Sequence, residues 1–410
     1  MRDDAISVSL GLEGFRVLDT IEADERVDVL VELTAGAGVC LGCAGVSTYV
    51  HERTDVRVRD VAVHGKPTYL LWRKRRFRCE RSECERSTFS EEHPEIPPRA
   101  RTTRRFRRHL ARRAKRAAVS HVASEERTSW WLVWRSITET VDLTQADASV
   151  VHRLGIDEAA FRRGLRFHTA FVDLDRRRLL DLVPGRTKRS VTDWVDECLP
   201  GWRAGVTEVV IDPFEAYRQG VGESFPQATL IVDKFHAVRL ANQALDAVRR
   251  RLQREAGRRR SRQSRSVAPS RWGRALFSSR RILVKARERL TDAERERLER
   301  ALSADPTGEL RAAWDLKERF RDWYLAASPE QARARLRRWY VKVERSGIAE
   351  FVELARTVRA WEPELLAHFG SGATNGPTEG ITNLIKVVKR QGFGYRNFEN
   401  FRLRVLYRCG

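Results

Sequence analysis

The sequence predicts a multidomain α/β protein: a small cysteine-bearing β module, a basic helical segment, and a mixed α/β domain running into a long helical block. Three observations predict it. Four of the six cysteines fall into two tight knuckles near the N-terminus. From Val151, short β-type runs (RLGIDEAAF, HTAFVDL, LLDLV, EVVIDPF, TLIVDKF) surround one amphipathic helical stretch, SVTDWVDECL. Three close strands, a helix, then strand–helix–strand is a mixed α/β pattern. Residues 237–370 are helical in composition, rich in Arg, Glu, Leu, Ala and Trp.

The 410 residues leave room for two to four domains at roughly 150 residues each. The net charge of +22, with arginine far outnumbering lysine, favours a polyanionic partner, because guanidinium meets phosphate with a planar fork of donors. A hydrophobic content of 41% excludes a largely disordered chain. The longest uncharged run, Leu33 to Val50, is broken by glycines, hydroxyls and a CxxC, so it reads as loop and strand rather than a membrane span. The acidic N-terminus does not look like a signal peptide. We therefore expect a soluble, cytoplasmic protein with no membrane partner.

Along the chain, SVSLGLEGFRVL and VDVLVEL alternate as two strands. Cys40 and Cys43 form a CxxC in a Gly-rich loop, and Cys79 and Cys84 follow the strand-like TYLLWRKRRFRC. Two knuckles with a β hairpin between them can bring four thiolates to one structural zinc, which leaves no open position for water. His51 and His64 lie between the knuckles and could substitute as ligands; otherwise they are surface histidines. The Pro-rich EEHPEIPPRA reads as a linker. Beyond it, RARTTRRFRRHLARRAKRA, AVSHVASEER and TSWWLVWRSITETV fit two short helices and a turn into a helix opened by Thr/Ser, a helix-turn-helix. Arg101, Arg104, Arg105, Arg108, Arg112 and Lys115 are its candidate DNA contacts. Among Trp130, Trp131 and Trp134, some must be core. The Ser-dotted tract REAGRRRSRQSRSVAPSR reads as a loop within the helical block. Trp314, Trp323 and Trp339 in that block are either core or a partner-binding face.

Asp157 (GIDEAAF), Asp212 (VVIDPF) and Asp233 (IVDKFH) each follow an apolar β run. On adjacent strands Asp157 and Asp212 would put two carboxylates in one groove; Asp233, followed by His236, is a third acid of this kind. Such a carboxylate pair must hold divalent cations or shift its pKa values. The competing reading is ordinary N-capping of the next helix.

The chain resembles insertion-sequence transposases of the ISL-three family over nearly its whole length. The resemblance lies in CLGC…RRFRCERSEC…TFSE, GIDEAAFRRG, VVIDPFEAY, IVDKFHAVR and TNGPTEGITNLIKVVKRQGFGYRNFENFRLRVL. It implies a DDE-type catalytic domain of ribonuclease-H-like fold with a large all-helical insertion. Asp157, Asp212 and Glu379 would be the three acids, holding two Mg²⁺ (or Mn²⁺). Asp233 and His236 occupy the place of an Asp-x-x-His element and would support them. Asn383, four residues after Glu379 and so on the same helix face, is a candidate to orient substrate; Lys386, Lys389 and Arg390 are candidate phosphate contacts or, equally, a solvated basic face. The resulting organisation is a zinc module over 1–98, a helix-turn-helix over 99–150, catalytic segments at 151–236 and 371–410, and the insertion at 237–370. The implied partners are double-stranded DNA, as element terminal inverted repeats and target, and a second copy of the chain in a dimer or larger synaptic assembly at the nucleoid. A non-catalytic regulator and a structure-specific nuclease are the alternatives.

Overall fold

A computed structural model describes residues 11–141, 150–162, 166–261 and 271–410. The chain forms two compact units, Met1–Thr144 with Val388–Arg408, and Gln145–Val387 with Cys409–Gly410. Among the described residues no helix is long and apolar enough to cross a membrane.

In the first unit, β1 (Phe15–Ala23) and β2 (Arg26–Leu33) form the expected pair; β1 starts at Phe15, and the predicted strand's residues 7–10 lie outside those described. The short strands β3 (Gly38–Val39) and β4 (Val46–Ser47) flank the first knuckle. A long hairpin follows, β5 (Val50–Val63) and β6 (Lys66–Arg78), and β7 (Thr88–Ser90) pairs with β6. The sheet order is β1-β2-β6-β5, with only β2–β6 parallel. Period-two alternation sends Val29, Val31, Leu70 and Trp72 inward, where they pack with Val58 and Ile96. Each such burial contributes about 1.5–3 kcal/mol.

The Pro-rich stretch is not a loose linker. Glu91 is buried, accepts hydrogen bonds from the Trp72 indole (3.1 Å) and the Arg75 amide (2.8 Å), and pairs with the Arg75 guanidinium. Ile96 sits in the sheet's core. Proline and glutamate suggested a tether, but a buried carboxylate with a buried arginine partner anchors the segment. Its Glu95 then opens α1 (Arg104–Ala114): the Glu95 carbonyl and carboxylate accept from the amides of Arg104 and Arg105, and the Thr103 hydroxyl from Phe106. Two further helices complete the bundle, α2 (Val119–Glu125) and α3 (Trp130–Thr138), the latter capped by the Ser129 hydroxyl as the sequence suggested. Phe106, Leu110, Val122, Val133, Trp134 and Ile137 form its core, whereas Trp130 and Trp131 are exposed.

The second unit opens with three antiparallel strands, β8 (Arg153–Arg162), β9 (Arg166–Asp173) and β10 (Arg178–Pro184). Helices α4 (Lys188–Asp196) and α5 (Pro200–Gly205) lead to β11 (Glu208–Ile211), and α6 (Glu215–Ser224) to β12 (Thr229–Val232). The order is β10-β9-β8-β11-β12, and β8, β11 and β12 run parallel. The sequence predicted this succession except in two details: a second short helix, α5, stands before β11, and β8 continues past Asp157 to Arg162, because its second half stays paired with β9.

The helical block begins with α7 (Lys234–Ser261), starting directly after Asp233. Residues 262–270 of the Ser-dotted tract, read from sequence as a loop, lie outside the described residues. Then come α8 (Arg271–Ser278), α9 (Arg280–Val284), a 3₁₀ turn (Arg287–Arg289), α10 (Asp292–Ser303), α11 (Glu309–Trp323), α12 (Pro329–Ser346), α13 (Ala349–Ala360) and α14 (Glu362–Ser371). Trp314, Trp323 and Trp339 are buried in one core with the sheet's Ile156 and Ile211. The indoles of Trp323 and Trp339 donate to the carbonyls of Ala332 and Leu316, both at 2.9 Å. These tryptophans are core, not a partner-binding face. The chain ends with α15 (Gly376–Gln391) and α16 (Phe398–Cys409). In the first unit α16 packs Leu403 and Tyr407 on the three-helix core, and buried Arg404 donates to the Ala117 and Ala114 carbonyls beyond α1.

Candidate active site

The parallel register builds the site. Ile156 pairs with Ile211, and Ile211 with Val232, so the residues immediately after this rung are Asp157, Asp212 and Asp233. Three carboxylate-bearing residues thus stand at one level across three adjacent strands, Asp212 and Asp233 just past the C-terminal ends of β11 and β12 and Asp157 midway along the longer β8. Open α/β sheets bind ligands at the C-terminal ends of their strands.

The start of α15 closes over this row. The Asn375 side-chain amide donates to Asp212 Oδ1 (3.3 Å), and the Asn375 backbone N–H donates to Asp233 Oδ1 (3.0 Å). The Thr382 hydroxyl donates to Asp157 Oδ2 (2.9 Å). Glu379 lies in the first turn of α15, one turn before Thr382, exposed, with its amide bonded to the Asn375 carbonyl (2.9 Å). Asn383 is exposed and accepts from Lys386 Nζ (3.2 Å). Thr382, not Asn383, is therefore the residue of this turn that reaches an acid. A helix this close to a strand needs Gly155: a Cβ there would lie 2.2 Å from Thr378 Oγ1.

His236 completes the cluster, with Nε2 2.8 Å from Asp212 Oδ2 and Nδ1 3.6 Å from Asp233 Oδ2. Burial pulls its pKa down, but hydrogen bonds to Asp212 and Asp233 outweigh that and raise it to about 9. Burial, and then the charge of Asp212, push Asp157 up to about 6. For Asp233, burial acts upward, yet hydrogen bonds from His236, Asn375 and Phe235 win and hold it below the usual carboxylate range.

The cysteines form the other cluster. Their four sulfurs lie within 4.8 Å of one another, the only such group of metal-binding side chains among the described residues. Cys40 and Cys84 are 3.8 Å apart, and Cys43 and Cys79 3.6 Å. Zn–S bonds of about 2.3 Å in a tetrahedron put sulfurs about 3.8 Å apart, so the residues fit zinc. The amides of Gly42 and Cys43 pull the Cys40 thiol down to about 7 despite partial desolvation, favouring thiolate. His51 and His64 lie outside the cluster.

The basic candidates divide. Arg101, Arg104, Arg108, Arg112 and Lys115 are exposed, although Arg108 reaches Glu95 at 2.8 Å. Arg105 is half-buried and paired with buried Asp60, so it ties α1 to the β module and does not offer a free contact. Lys386 and Arg390 are exposed, and Lys389 is half-buried. Sequence reasoning missed Asn375, Thr382 and Gly155; the Asn-Gly turn before Glu379 was the available signal for Asn375.

Comparison with known proteins gives the family. Residues 154–405 match a family model described as transposase. The chain belongs to transposase family ISL3. Residues 37–84 match the zinc finger of transposases IS204/IS1001/IS1096/IS1165, and residues 91–141 the helix-turn-helix domain of family ISL3. The chain is 28% identical to the transposase for insertion sequence element IS1001 of Bordetella parapertussis, covering 99% of this chain and 98% of that one. It is 30% identical to the transposase for IS1557 of Mycobacterium tuberculosis, over 65% of this chain and 63% of that one. This ISL3 member is a DNA transposase, an enzyme that cuts and joins DNA, with a zinc ribbon and a DNA-binding helix-turn-helix.

Proposed function

We propose that Asp157, Asp212 and Glu379 are the catalytic acids of a DDE transposase that binds its element's terminal inverted repeats. The observation that carries this is the shared rung: Asp157 and Asp212 follow directly paired residues on adjacent strands, and Thr382 fastens α15, the helix that carries Glu379, to Asp157. Hard carboxylate oxygens gathered on neighbouring strands suit Mg²⁺ or Mn²⁺, and a cation there would relieve the burial and like charge that raise the Asp157 carboxyl. When bound there, two such ions supply Lewis acidity and an activated oxygen nucleophile for phosphodiester cleavage and transfer. Asp157, Asp212 and Glu379 would hold them. Asp233 and His236 orient Asp212 and share its charge, and Asn375 ties Asp212 and Asp233 to α15.

Three antiparallel strands followed by two parallel ones, with the third acid on a late helix, support a ribonuclease-H-like domain. In this reading residues 151–236 and 371–410 belong to it, 237–370 is a helical insertion, and 1–98 and 99–150 are the zinc and helix-turn-helix modules. The structure lends 388–408 to the N-terminal unit, which ties α16 to end recognition. Arg101, Arg104, Arg108, Arg112, Lys115, Lys386, Lys389 and Arg390 contact phosphate. Holding two element ends calls for a dimer or larger assembly, working on cytoplasmic, nucleoid DNA.

A nicking assay on element-end DNA with Mg²⁺ tests the reading. Cleavage at the ends that Asp157→Ala abolishes is expected. Binding without cutting would favour the regulator, and cutting without end preference the nuclease.

A further inference from the structure

Phe393 is the most exposed large hydrophobic side chain among the described residues, at 92%. Its backbone lies in the left-handed region, φ +51°, where a bulky residue is strained. The strain is locked in. The amides of Gly392, Phe393 and Gly394 donate to the carbonyls of Val388, Arg390 and Lys389 at 3.1, 3.0 and 3.2 Å, closing the end of α15. Helices usually give such a left-handed position to glycine. Glycines stand on both sides, yet the position itself holds Phe. Neither burial nor backbone preference explains that choice.

Phe393 borders a cleft of about 380 Å³ within the first unit, lined also by Trp130, Trp134, Tyr395 and Arg396. Trp130 is 41% exposed and stacks on Trp134, with ring centroids 5.4 Å apart. The loop is fastened to the helix-turn-helix by Gln391, whose side chain donates to the Arg116 carbonyl (2.9 Å). Exposed Arg396 lines the cleft, and exposed Arg390 and Arg116 adjoin Gln391, one as its neighbour in the chain and one through its carbonyl. Presented aromatic faces beside a guanidinium match a nucleotide: ring for base, guanidinium for phosphate. An intact duplex hides its base faces, so the matching occupant is a base out of the stack.

We propose that Phe393, with Trp130, forms a stacking site for an unpaired or extruded base of the bound DNA. The proposal rests on the chain acting on DNA but on none of the catalytic acids. The test measures full-length protein binding to an intact duplex and to the same duplex with a short single-stranded gap carrying fluorescent aminopurine. The wild type should prefer the gapped DNA and quench the aminopurine. Phe393→Ala should lose that preference by roughly five- to a hundredfold, the worth of one stacked base, with an unchanged salt dependence. Phe393→Trp should keep it. Phe393→Gly should lose it while its melting temperature holds or rises, because the backbone strain is relieved. Equal binding of both DNAs by the wild type, an equal loss on both in Phe393→Ala, or a retained preference in Phe393→Gly overturns the proposal. Asp157→Ala should keep the gap preference even where cleavage is lost, so failure of the catalytic reading reads out separately.

Discussion

The two polar clusters of this protein are built on opposite plans. The four cysteines come from two short knuckles and converge on one another, every sulfur within 4.8 Å of the rest. The strand-borne acids are held from outside: Asp157 by Thr382, and Asp212 and Asp233 by Asn375 and His236 in common. A closed set of soft donors satisfies one ion completely and contributes to folding. In the proposed function, a row of hard donors keeps positions open for substrate. The difference teaches that ligand spacing along the chain marks the thiolate cluster, whereas the carboxylate row is assembled by sheet register.

That contrast can be broken from either side, and the largest effect is expected at the acids. Asp157→Ala, Asp212→Ala and Glu379→Ala should each lower strand cleavage by at least about a hundredfold, measured on end-containing DNA, with binding nearly unchanged. Glu215 is exposed and bonds only its helix neighbours Gln219 and Arg218. Glu215→Ala is therefore the control, expected within about 0.5 kcal/mol of wild-type stability. Asp173 is unsuitable as a control. It is fully buried and accepts from Arg176 and the amides of Asp175 and Arg176.

The cysteines should answer differently. Cys79→Ser/Cys84→Ser, or a strong chelator, should remove zinc and melt the β module, since structural sites supply about 10–16 kcal/mol of binding free energy to folding. Circular dichroism and metal analysis would report it, and the second unit should keep its own thermal transition. Loss of both transitions together would contradict the separation.

A smaller effect is expected where α15 meets the sheet. Gly155→Ala would drive a Cβ to 2.2 Å from Thr378 Oγ1, and overpacking of that kind costs about 1–3 kcal/mol. Both melting temperature and cleavage should fall. Asn375→Ala should cost about 1–3 kcal/mol, the desolvation cost of a buried group left without its partner, and should slow cleavage more than Glu215→Ala does. Unchanged cleavage in Asn375→Ala would remove Asn375 from the positioning role.

Legibility followed distance along the chain. The strand runs, the hairpin between knuckles and the capped α3 were readable because alternation, Cys spacing and Ser129 act within a few residues. The Pro-rich segment misled because its composition says nothing of Arg75 and Trp72, which bury Glu91. Arg105 looked like its basic neighbours until Asp60, far away in sequence, took it. Trp314, Trp323 and Trp339 had helical spacing that suits a core or a surface equally, and only packing chose the core.

The sequence by itself determined the chemical inventory: paired thiols, acids at the ends of apolar runs, and an excess of arginine. Those properties are local, carried by residue type and by periods of two and three to four. Only the tertiary structure decided which acids share an edge, that Thr382 and Asn375 hold them, and that Gly155 makes room for α15. Register depends on pairing between separate strands, Ile156 with Ile211 and Ile211 with Val232, and the close approach of α15 on residues 142 to 225 positions away, and no local pattern encodes which partner a strand or a helix end will meet.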